Sequence, residues 1–155
     1  YYLTRGATVA AFRTGTLPPA EAGLRILGAH VDSPGLRLKP KPEFKREGYH
    51  QLGVEVYGGP LLASWVDRDL GLSGRLVVRG DGPLGLETRL VRIDEPIARI
   101  SQLAIHLNRK VNDAGLTLNP QTEMPPMLGL ELADGALMEH LAQRVGVLGC
   151  EPAVR

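Results

Sequence analysis

The 155-residue sequence predicts an α+β protein in two parts, the edge of an α/β sheet followed by a β-rich module. The apolar run at residues 24–27 is typical of a strand covered on both faces, as strands of α/β sheets are. From residue 49 onward, short strand-like segments alternate with glycine-rich turns, which is the pattern of a compact β-sheet or small barrel. The pattern changes in the proline-interrupted stretch 36–42, so the sequence predicts one domain over residues 1–38 and a second over residues 39–155.

The first part predicts a hairpin, a loop and a buried strand. Residues 1–5 and 8–14 carry β-branched and aromatic residues on either side of Gly6, which is able to take a positive φ. Residues 17–23 contain two adjacent prolines and end on a glycine, so they predict a turn or surface loop. Residues 24–30 then predict the buried strand.

Most of the second part predicts strands and loops. The candidate strands are residues 51–57, 74–79 and 87–93. The glycine-rich segment 80–85 is the turn between the last two strands. Residues 101–110 predict a short helix, and residues 112–126, with Asn, Gly and three prolines, predict a loop.

A longer helix is predicted near the end of the sequence. An apolar stripe at positions i, i+4 and i+8 is formed by Leu137, Leu141 and Val145. This spacing places the three side chains on one face of an amphipathic helix over residues 135–145. Asp134 is the expected N-cap and Gly146 the expected C-cap of this helix.

The composition excludes several classes of function. Eighteen basic and seventeen acidic residues give a formal net charge of +1, so nothing in the sequence predicts binding to nucleic acid or to an anionic membrane. The basic stretch 39–46 is broken by prolines and glutamates and predicts a solvated connection. The single cysteine, Cys150, cannot form an intrachain disulfide, which favours a reducing cytoplasm. No apolar run approaches the length of a membrane span.

The motif GAHVDSP at residues 28–34 carries the first candidate site. A carboxylate two residues after a histidine lies on the same side of an extended backbone, where Asp32 could orient the imidazole of His30. Imidazole nitrogen suits zinc, so the pair is a metal-ligand arrangement. Taken alone, the same pair also fits a strand-end histidine that is hydrogen-bonded to a neighbouring carboxylate.

Further motifs in matching order and spacing make the chain resemble the aspartyl aminopeptidases, a family of two-zinc exopeptidases. They are YLTR at 2–5, GVEVYGG at 53–59, WVDRDL at 65–70, LAIHL at 103–107 and NPQTEM at 119–124. The resemblance fades after about residue 130. Because members of the family are much longer than this chain, we expect it to be an internal segment of such an enzyme.

The resemblance implies a site that binds two zinc ions. The histidine of the GAHVDSP motif, here His30, binds one zinc, and Asp32 supports a ligand. The family's other ligands are a bridging aspartate, a Glu-Glu pair, another aspartate and a second histidine, and we find none of them in this sequence. The resemblance therefore implies the α/β zinc-peptidase catalytic domain, present only as a fragment, followed by an inserted β-rich dimerisation domain.

A third candidate residue is His106. A histidine among the apolar residues of the motif LAIHL is, by itself, more typical of packing than of function. In the family, the histidine of this motif reaches across the dimer interface and helps to hold substrate in the neighbouring subunit's active site. The resemblance thus implies that His106 acts in trans, on a peptide bound by its partner.

Other polar and aromatic residues are assigned structural roles. In the segment Asp67-Arg68-Asp69 the arginine can neutralise both carboxylates, which favours a local ion-pair network that fixes a turn. Trp65 predicts core or interface packing. His50 and His140 match no motif and are expected at the surface.

The sequence is compatible with three functional interpretations. The chain is either part of a cytoplasmic zinc aminopeptidase that removes acidic N-terminal residues from peptides, or a non-catalytic dimerisation and interaction module. A related zinc aminopeptidase that prefers neutral or basic N-terminal residues is the third reading. Each implies self-association as a homodimer or a larger oligomer.

Overall fold

The computed structural model describes residues 1–146, which form two compact units, residues 1–34 and the residues from 35 onward. The division follows Pro34, and residues 35–38, which the sequence grouped with the first part, begin the first strand of the second unit. Cys150 lies outside the described residues. No helix among residues 1–146 is long and apolar enough to cross a membrane.

The first unit contains a hairpin and one helical turn. Strands β1 (Tyr2–Arg5) and β2 (Thr8–Ala11) pair antiparallel around Gly6, whose φ is 59°, so the predicted hairpin is confirmed. Helix α1 (Pro19–Ala22) is a single turn within the predicted loop. Both strands are exposed along their whole length.

The predicted buried strand at residues 24–30 is wrong in this structure. The segment makes no strand pairing, and Leu27 is 99% exposed. A strand requires a neighbour that supplies backbone partners, and within the first unit β1 and β2 pair only with each other. Arg25 also interrupts the run, so its apolar character is weaker than that of a strand buried on both faces.

The second unit is built on a five-stranded sheet with the order β3-β4-β7-β6-β5. Its strands are β3 (Gly35–Arg46), β4 (Tyr49–Tyr57), β5 (Asp69–Arg79), β6 (Leu86–Arg99) and β7 (Met127–Leu130). All pairings between these strands are antiparallel. The three predicted strands are confirmed within β4, β5 and β6, and the structure adds two that the sequence did not predict, β3 and β7.

Strand β3 replaces the predicted solvated connection. It lies at an edge of the sheet, where a proline does not interrupt a hydrogen-bond ladder on both sides. Its pairing with β4 shifts register between Leu38 and Glu43, across the two prolines and Lys41, whose φ is 52°. The prolines are therefore accommodated in an irregular edge strand.

The sheet consists of two ribbons that share little hydrogen bonding. Strands β3, β4 and β7 form one ribbon, and β5 and β6 form the other. Between the ribbons, the β6–β7 pairing is a single residue pair, Arg99 with Met127. An isolated parallel bridge joins Val66 to Ile100 just beyond the end of β6.

Helix α3 (Ala136–Val145) packs on β6 and confirms the predicted helix. Leu137 and Leu141 are buried and share a core with three residues of the sheet, and Val145 packs against it. The buried sheet residues of this first core are Leu52, Val91 and Ile93. The expected N-cap is wrong, because Gly135 holds that position and Asp134 instead pairs with Lys45 of β3 at 2.7 Å. Gly146 caps the C-terminus in a left-handed conformation, as predicted.

A second core includes Ile100, the residue just before the segment that carries His106. Its buried members are Val54, Val66, Ile100 and Met124. The helix predicted at residues 101–110 is wrong, since this segment forms turns and the only helical turn nearby is α2 (Val111–Ala114). A ten-residue helix is marginal without tertiary packing, and residues 101–110 bury none of their side chains.

Candidate functional site

His30 and Asp32 lie close together in the first unit. The Nδ1 atom of His30 is 3.1 Å from the carbonyl oxygen of Asp32 and 3.7 Å from its carboxylate Oδ1. The nearer contact is therefore with the backbone, and the carboxylate lies just outside hydrogen-bonding distance. The side chain of His30 is 85% exposed, so the imidazole faces solvent.

This contact leaves the other ring nitrogen of His30 accessible. When Nδ1 donates its hydrogen to the carbonyl oxygen of Asp32, Nε2 carries the lone pair. Within residues 1–146, His30 makes no hydrogen bond through Nε2. A neutral imidazole held in this tautomer by a backbone carbonyl is the form in which histidine binds zinc.

The donor set of the described residues fits one zinc ligand and not a complete site. Among residues 1–146 there is no group of three or more His, Cys, Asp or Glu side chains that could hold a metal ion. Zinc sites in proteins use three or four protein ligands. Residues 1–146 therefore offer His30 as a side chain of the type that zinc binds, without a complete zinc site.

His106 lies in an exposed loop of the second unit. The loop is shaped by two backbone hydrogen bonds, Leu107 N to Ala104 O at 2.9 Å and Asn108 N to Ile105 O at 3.2 Å. His106 is exposed between apolar neighbours that are also exposed, among them Leu107 at 73%. An exposed apolar loop with a histidine at its centre is suited to contact another molecule.

A cavity of about 210 Å³ lies beside this loop. It is lined by Gln51, by residues 100–103 and Asn108, and by residues 116–118, 122, 123, 125 and 127. Glu123 is its only charged lining residue, and its carboxylate accepts a hydrogen bond from the backbone N–H of Asn119 at 2.6 Å. The inner side of the loop therefore faces open space rather than close-packed side chains.

The predicted ion-pair network exists, but its arginine is Arg99 of β6 and not Arg68. The Arg99 guanidinium lies 3.1 Å from the Oδ1 atom of Asp69 and 3.7 Å from that of Asp67. Arg68 instead donates to the carbonyl oxygen of Ser64 at 3.3 Å. The sequence contains a signal for this pairing, because Leu70 and Leu72 extend the alternation of β5 backward to Asp69, which then pairs with Arg99.

Trp65, His50 and His140 were assigned structural or surface positions, and the structure shows how far each of them is buried. Trp65 is half-buried against the second core, which confirms the prediction of a packing role. His50 is only 2% exposed, so the prediction of a surface residue is wrong. It shares the inward face of β4 with Leu52 and Val54, a period of two that could have been read from the sequence. His140 is half-buried on α3 rather than exposed.

Comparison with known proteins defines the class. The family model described as Aminopeptidase I zinc metalloprotease (M18) matches residues 1–145. The chain therefore belongs to the M18 family of zinc metalloproteases, and the resemblance found in the motifs is confirmed at the level of the family.

Individual relatives are bacterial M18 aminopeptidases. A probable M18 family aminopeptidase 2 of Pseudomonas syringae pv. tomato (strain ATCC BAA-871 / DC3000) is 51% identical over 154 residues, which are 95% of this chain and 35% of that protein. The protein of the same name from Ectopseudomonas mendocina (strain ymp) is 54% identical over 129 residues, which are 83% of this chain and 29% of that protein. The chain spans about a third of the length of these relatives.

Solved structures of Ape4 and Ape1 proteins have a similar fold. Ape4 in its complex with Nbr1, determined by cryo-EM, has a TM-score of 0.68 and 39% identity over 76% of this chain and 25% of its own. The mApe1 protein of Chaetomium thermophilum has a TM-score of 0.63 and 33% identity over 79% of this chain and 30% of its own. The S. cerevesiae mApe1 dodecamer has a TM-score of 0.53 and 28% identity over 76% of this chain and 26% of its own.

Proposed function

We propose that this chain acts as a segment of a two-zinc aminopeptidase that removes N-terminal residues, acidic ones in particular, from peptides. The observation that carries the proposal is the His30–Asp32 pair, a solvent-facing imidazole whose Nδ1 is held 3.1 Å from a carbonyl oxygen. Membership of the M18 family supplies the reaction class. The acidic preference rests on the resemblance to aspartyl aminopeptidases.

His30 contributes one protein ligand to the zinc site, and Asp32 keeps its imidazole in the ligating tautomer. When bound, zinc polarises the scissile carbonyl and lowers the pKa of a bound water. Asp32 holds the tautomer of His30 chiefly through its backbone carbonyl oxygen, which is nearer to the ring than its carboxylate is. We assign residues 1–34 to the catalytic domain on this basis.

His106 is proposed to bind substrate in the active site of a neighbouring subunit. Its exposure supports this role, as does the exposure of the apolar side chains of Leu103, Ile105 and Leu107 around it. An imidazole that enters a partner's site can donate a hydrogen bond to a substrate carbonyl and stabilise the negative charge that develops there. The second unit is then the dimerisation domain.

Self-association follows from this arrangement, as a homodimer or a larger oligomer. The related mApe1 protein of S. cerevesiae has been solved as a dodecamer. We propose the cytoplasm as the location, because a single cysteine gives no sign of an oxidising compartment. Peptides are the expected partners, and the net charge of +1 gives no reason to add nucleic acid or a membrane.

A non-catalytic dimerisation or interaction module is the second candidate. The observation that favours it is the donor set, since residues 1–146 supply one zinc ligand and no cluster of three. The two candidates differ in the behaviour of the full-length protein, which hydrolyses peptides under the first and only associates under the second.

The first experiment compares the chain alone with the full-length protein that contains it. We expect the chain alone to bind zinc weakly and to release no aspartate from Asp-peptides, because one histidine does not hold a dinuclear centre. The full-length protein should be active on Asp- and Glu-aminoacyl substrates, and His30→Ala should abolish this activity. Asp32→Asn should weaken it only in part, because asparagine keeps the backbone carbonyl oxygen that lies nearer to the imidazole. A preference for Leu- or Lys-substrates would instead support a related aminopeptidase of neutral or basic specificity.

The second experiment mixes two full-length variants, the inactive His30→Ala and His106→Phe, whose turnover we expect to be sharply lowered but measurable. A heterodimer contains one active site in which an intact His30 meets an intact His106 from the partner. We expect activity to return in part after subunit exchange. If heterodimers form and no activity returns, His106 does not act across the interface.

A further inference from the structure

The turn after Trp65 is hydrogen-bonded to the segment that leads into the His106 loop. The backbone N–H of Asp67 donates to the carbonyl oxygen of Ile100 at 2.8 Å, and its Oδ1 accepts from the backbone N–H of Gln102 at 3.2 Å. Arg99 adds a third bond, from its guanidinium to the carbonyl oxygen of Asp67 at 3.2 Å. Asp67 therefore contacts Arg99, Ile100 and Gln102, where β6 ends and the loop begins.

The loop itself has few other means of holding its position. The side chains of Leu103, Ile105 and Leu107 are exposed, and the cavity of about 210 Å³ lies against its inner side. The two backbone hydrogen bonds within the loop define its shape, but both partners of each bond belong to the loop. The loop is joined to the second core at Ile100, and at its other end to α2 by the hydrogen bond from Val111 N to the carbonyl oxygen of Asn108 at 3.3 Å.

The residues on the core side of this connection are buried. Val66 and Ile100, which flank it, are both buried in the second core and form a parallel bridge. Asp67 has a φ of 52°, a left-handed conformation that Asp, Asn and Gly adopt more readily than other residues. In this conformation, and next to the buried Val66, the carboxylate of Asp67 lies within hydrogen-bonding distance of the backbone N–H of Gln102.

We infer that Asp67 is a positioning residue for His106: through its bond to the backbone N–H of Gln102, it sets the direction in which the loop carries the imidazole toward the substrate. The inference rests on the proposed function, because it requires His106 to bind substrate. The ion pair with Arg99 supports Asp67 and does not itself reach the loop. A small displacement of a group that contacts the transition state lowers turnover without altering ground-state binding.

Three variants of the full-length enzyme separate the hydrogen bond from the charge and the backbone. Asp67→Gly keeps the left-handed φ and deletes the acceptor, whereas Asp67→Asn keeps both an acceptor oxygen and a compatible backbone. Asp69→Asn is the matched control, because Asp69 shares the Arg99 ion pair but makes no bond to Gln102. Gln102→Pro, which removes the donor instead, replaces Asp67→Gly if the glycine variant does not fold.

We expect Asp67→Gly to lower kcat about tenfold with KM changed by less than about twofold. Asp67→Asn and Asp69→Asn should stay within about twofold of the parent in both parameters. Amide hydrogen exchange of the chain itself should show faster exchange at Gln102 in Asp67→Gly than in Asp67→Asn. Equal kcat values for Asp67→Gly and Asp67→Asn would overturn the inference.

A double-mutant cycle with His106→Phe separates this inference from the proposed function. If Asp67 acts through His106, Asp67→Gly should cost less than about twofold further in the His106→Phe background. A full tenfold loss in that background would show that Asp67 acts on something else, and would overturn the inference alone. If His106→Phe by itself leaves turnover unchanged, the role proposed for His106 fails and the inference fails with it.

Discussion

His50 is buried among apolar side chains, although its sequence neighbours suggested the surface. Neither of its ring nitrogens has a hydrogen-bond partner among the described residues. A buried polar group without a partner costs free energy relative to an apolar group of similar shape. We therefore expect the imidazole of His50 to add nothing to stability through hydrogen bonds within residues 1–146.

Replacement of His50 by leucine is expected to leave the chain as stable as before or to stabilise it by about 1 kcal/mol. The measurement is the free energy of unfolding in urea. Leu52→Ala on the same face of β4 is the control, and it should destabilise by about 2–5 kcal/mol because it leaves a cavity in the first core. A loss of more than about 1 kcal/mol in His50→Leu would show that the imidazole has a stabilising partner.

Two exposed carboxyl groups make stability depend on pH. A hydrogen bond from Arg144 lowers the pKa of Glu95 below 4.5, and one from Lys45 lowers the pKa of Asp134 below 3.8. A carboxyl group with a lowered pKa stabilises the fold above its unfolded value, and the contribution is lost as pH falls through the folded value. Stability should therefore decrease as pH falls below about 4.5.

The variants Glu95→Gln and Asp134→Asn should each reduce this decrease in thermal melts between about pH 5 and 3. The change is expected to be small, because both side chains are exposed and solvent screens the ion pairs. Glu21→Gln is the control, since Glu21 forms no ion pair within residues 1–146. An unchanged melt profile in both variants would show that these pairs do not contribute in solution.

At the scale of the element, the irregular pairing of β5 with β6 depends on one glycine. The register shifts between Leu70 and Leu72, where residues 94–97 of β6 have no counterpart in β5. A Cβ atom added at Gly71 would overlap the carbonyl oxygen of Ile93, a backbone atom that cannot rotate away. The bulge therefore requires glycine at this position for reasons of space.

Gly71→Ala is expected to destabilise the chain by about 1–3 kcal/mol, since backbone must shift to relieve the overlap. Gly74→Ala in the same strand is the matched control. A Cβ there meets nothing within 4 Å, and the substitution should be neutral or slightly stabilising. Equal unfolding free energies for the two variants would contradict the role of the close approach.

Local patterns predicted the elements whose side chains alternate or recur regularly. The apolar period of α3 and the turn-bounded strands β4, β5 and β6 are visible in the sequence because one face of each is buried. Strand β3 was missed because its prolines indicate a connection, and only its place at the sheet edge makes them acceptable. Strand β7 was missed because four residues between a loop and a turn carry too short a pattern.

The candidate site was predictable only where it depends on motifs. His30, Asp32 and His106 lie in motifs of the family, so they could be named without a structure. Arg99 and Gln102 could not, because their contacts with Asp67 span 32 and 35 residues and depend on the register of β5 with β6. These bonds could not be predicted from local patterns because the partners lie far apart in the sequence.

At the scale of the molecule, the two units differ in how they are stabilised. The second unit has two buried cores, whereas every residue of β1 and β2 in the first is exposed. A two-stranded hairpin without a buried face is marginally stable in water. The first unit is therefore expected to open more readily than the second.

Hydrogen exchange measures this difference directly. Amides hydrogen-bonded between β1 and β2, such as those of Leu3 and Ala10, should exchange at least about 100-fold faster than amides of Val54 and Ile93 in the cores. Residues 35–146 prepared alone are the control and should keep the protection pattern of the second unit. Comparable protection in β1 and β4 would show that both units unfold as one.

The single pair that joins the two ribbons has a mechanical consequence. Arg99 pairs with Met127 of β7 through its backbone, and its guanidinium holds Asp67 and Asp69. Arg99 thus joins the two ribbons through its backbone and contacts the turn before β5 through its side chain. A rotation of the β5–β6 ribbon against the other strands would therefore also displace Asp67 and the backbone of Gln102 to which Asp67 is hydrogen-bonded.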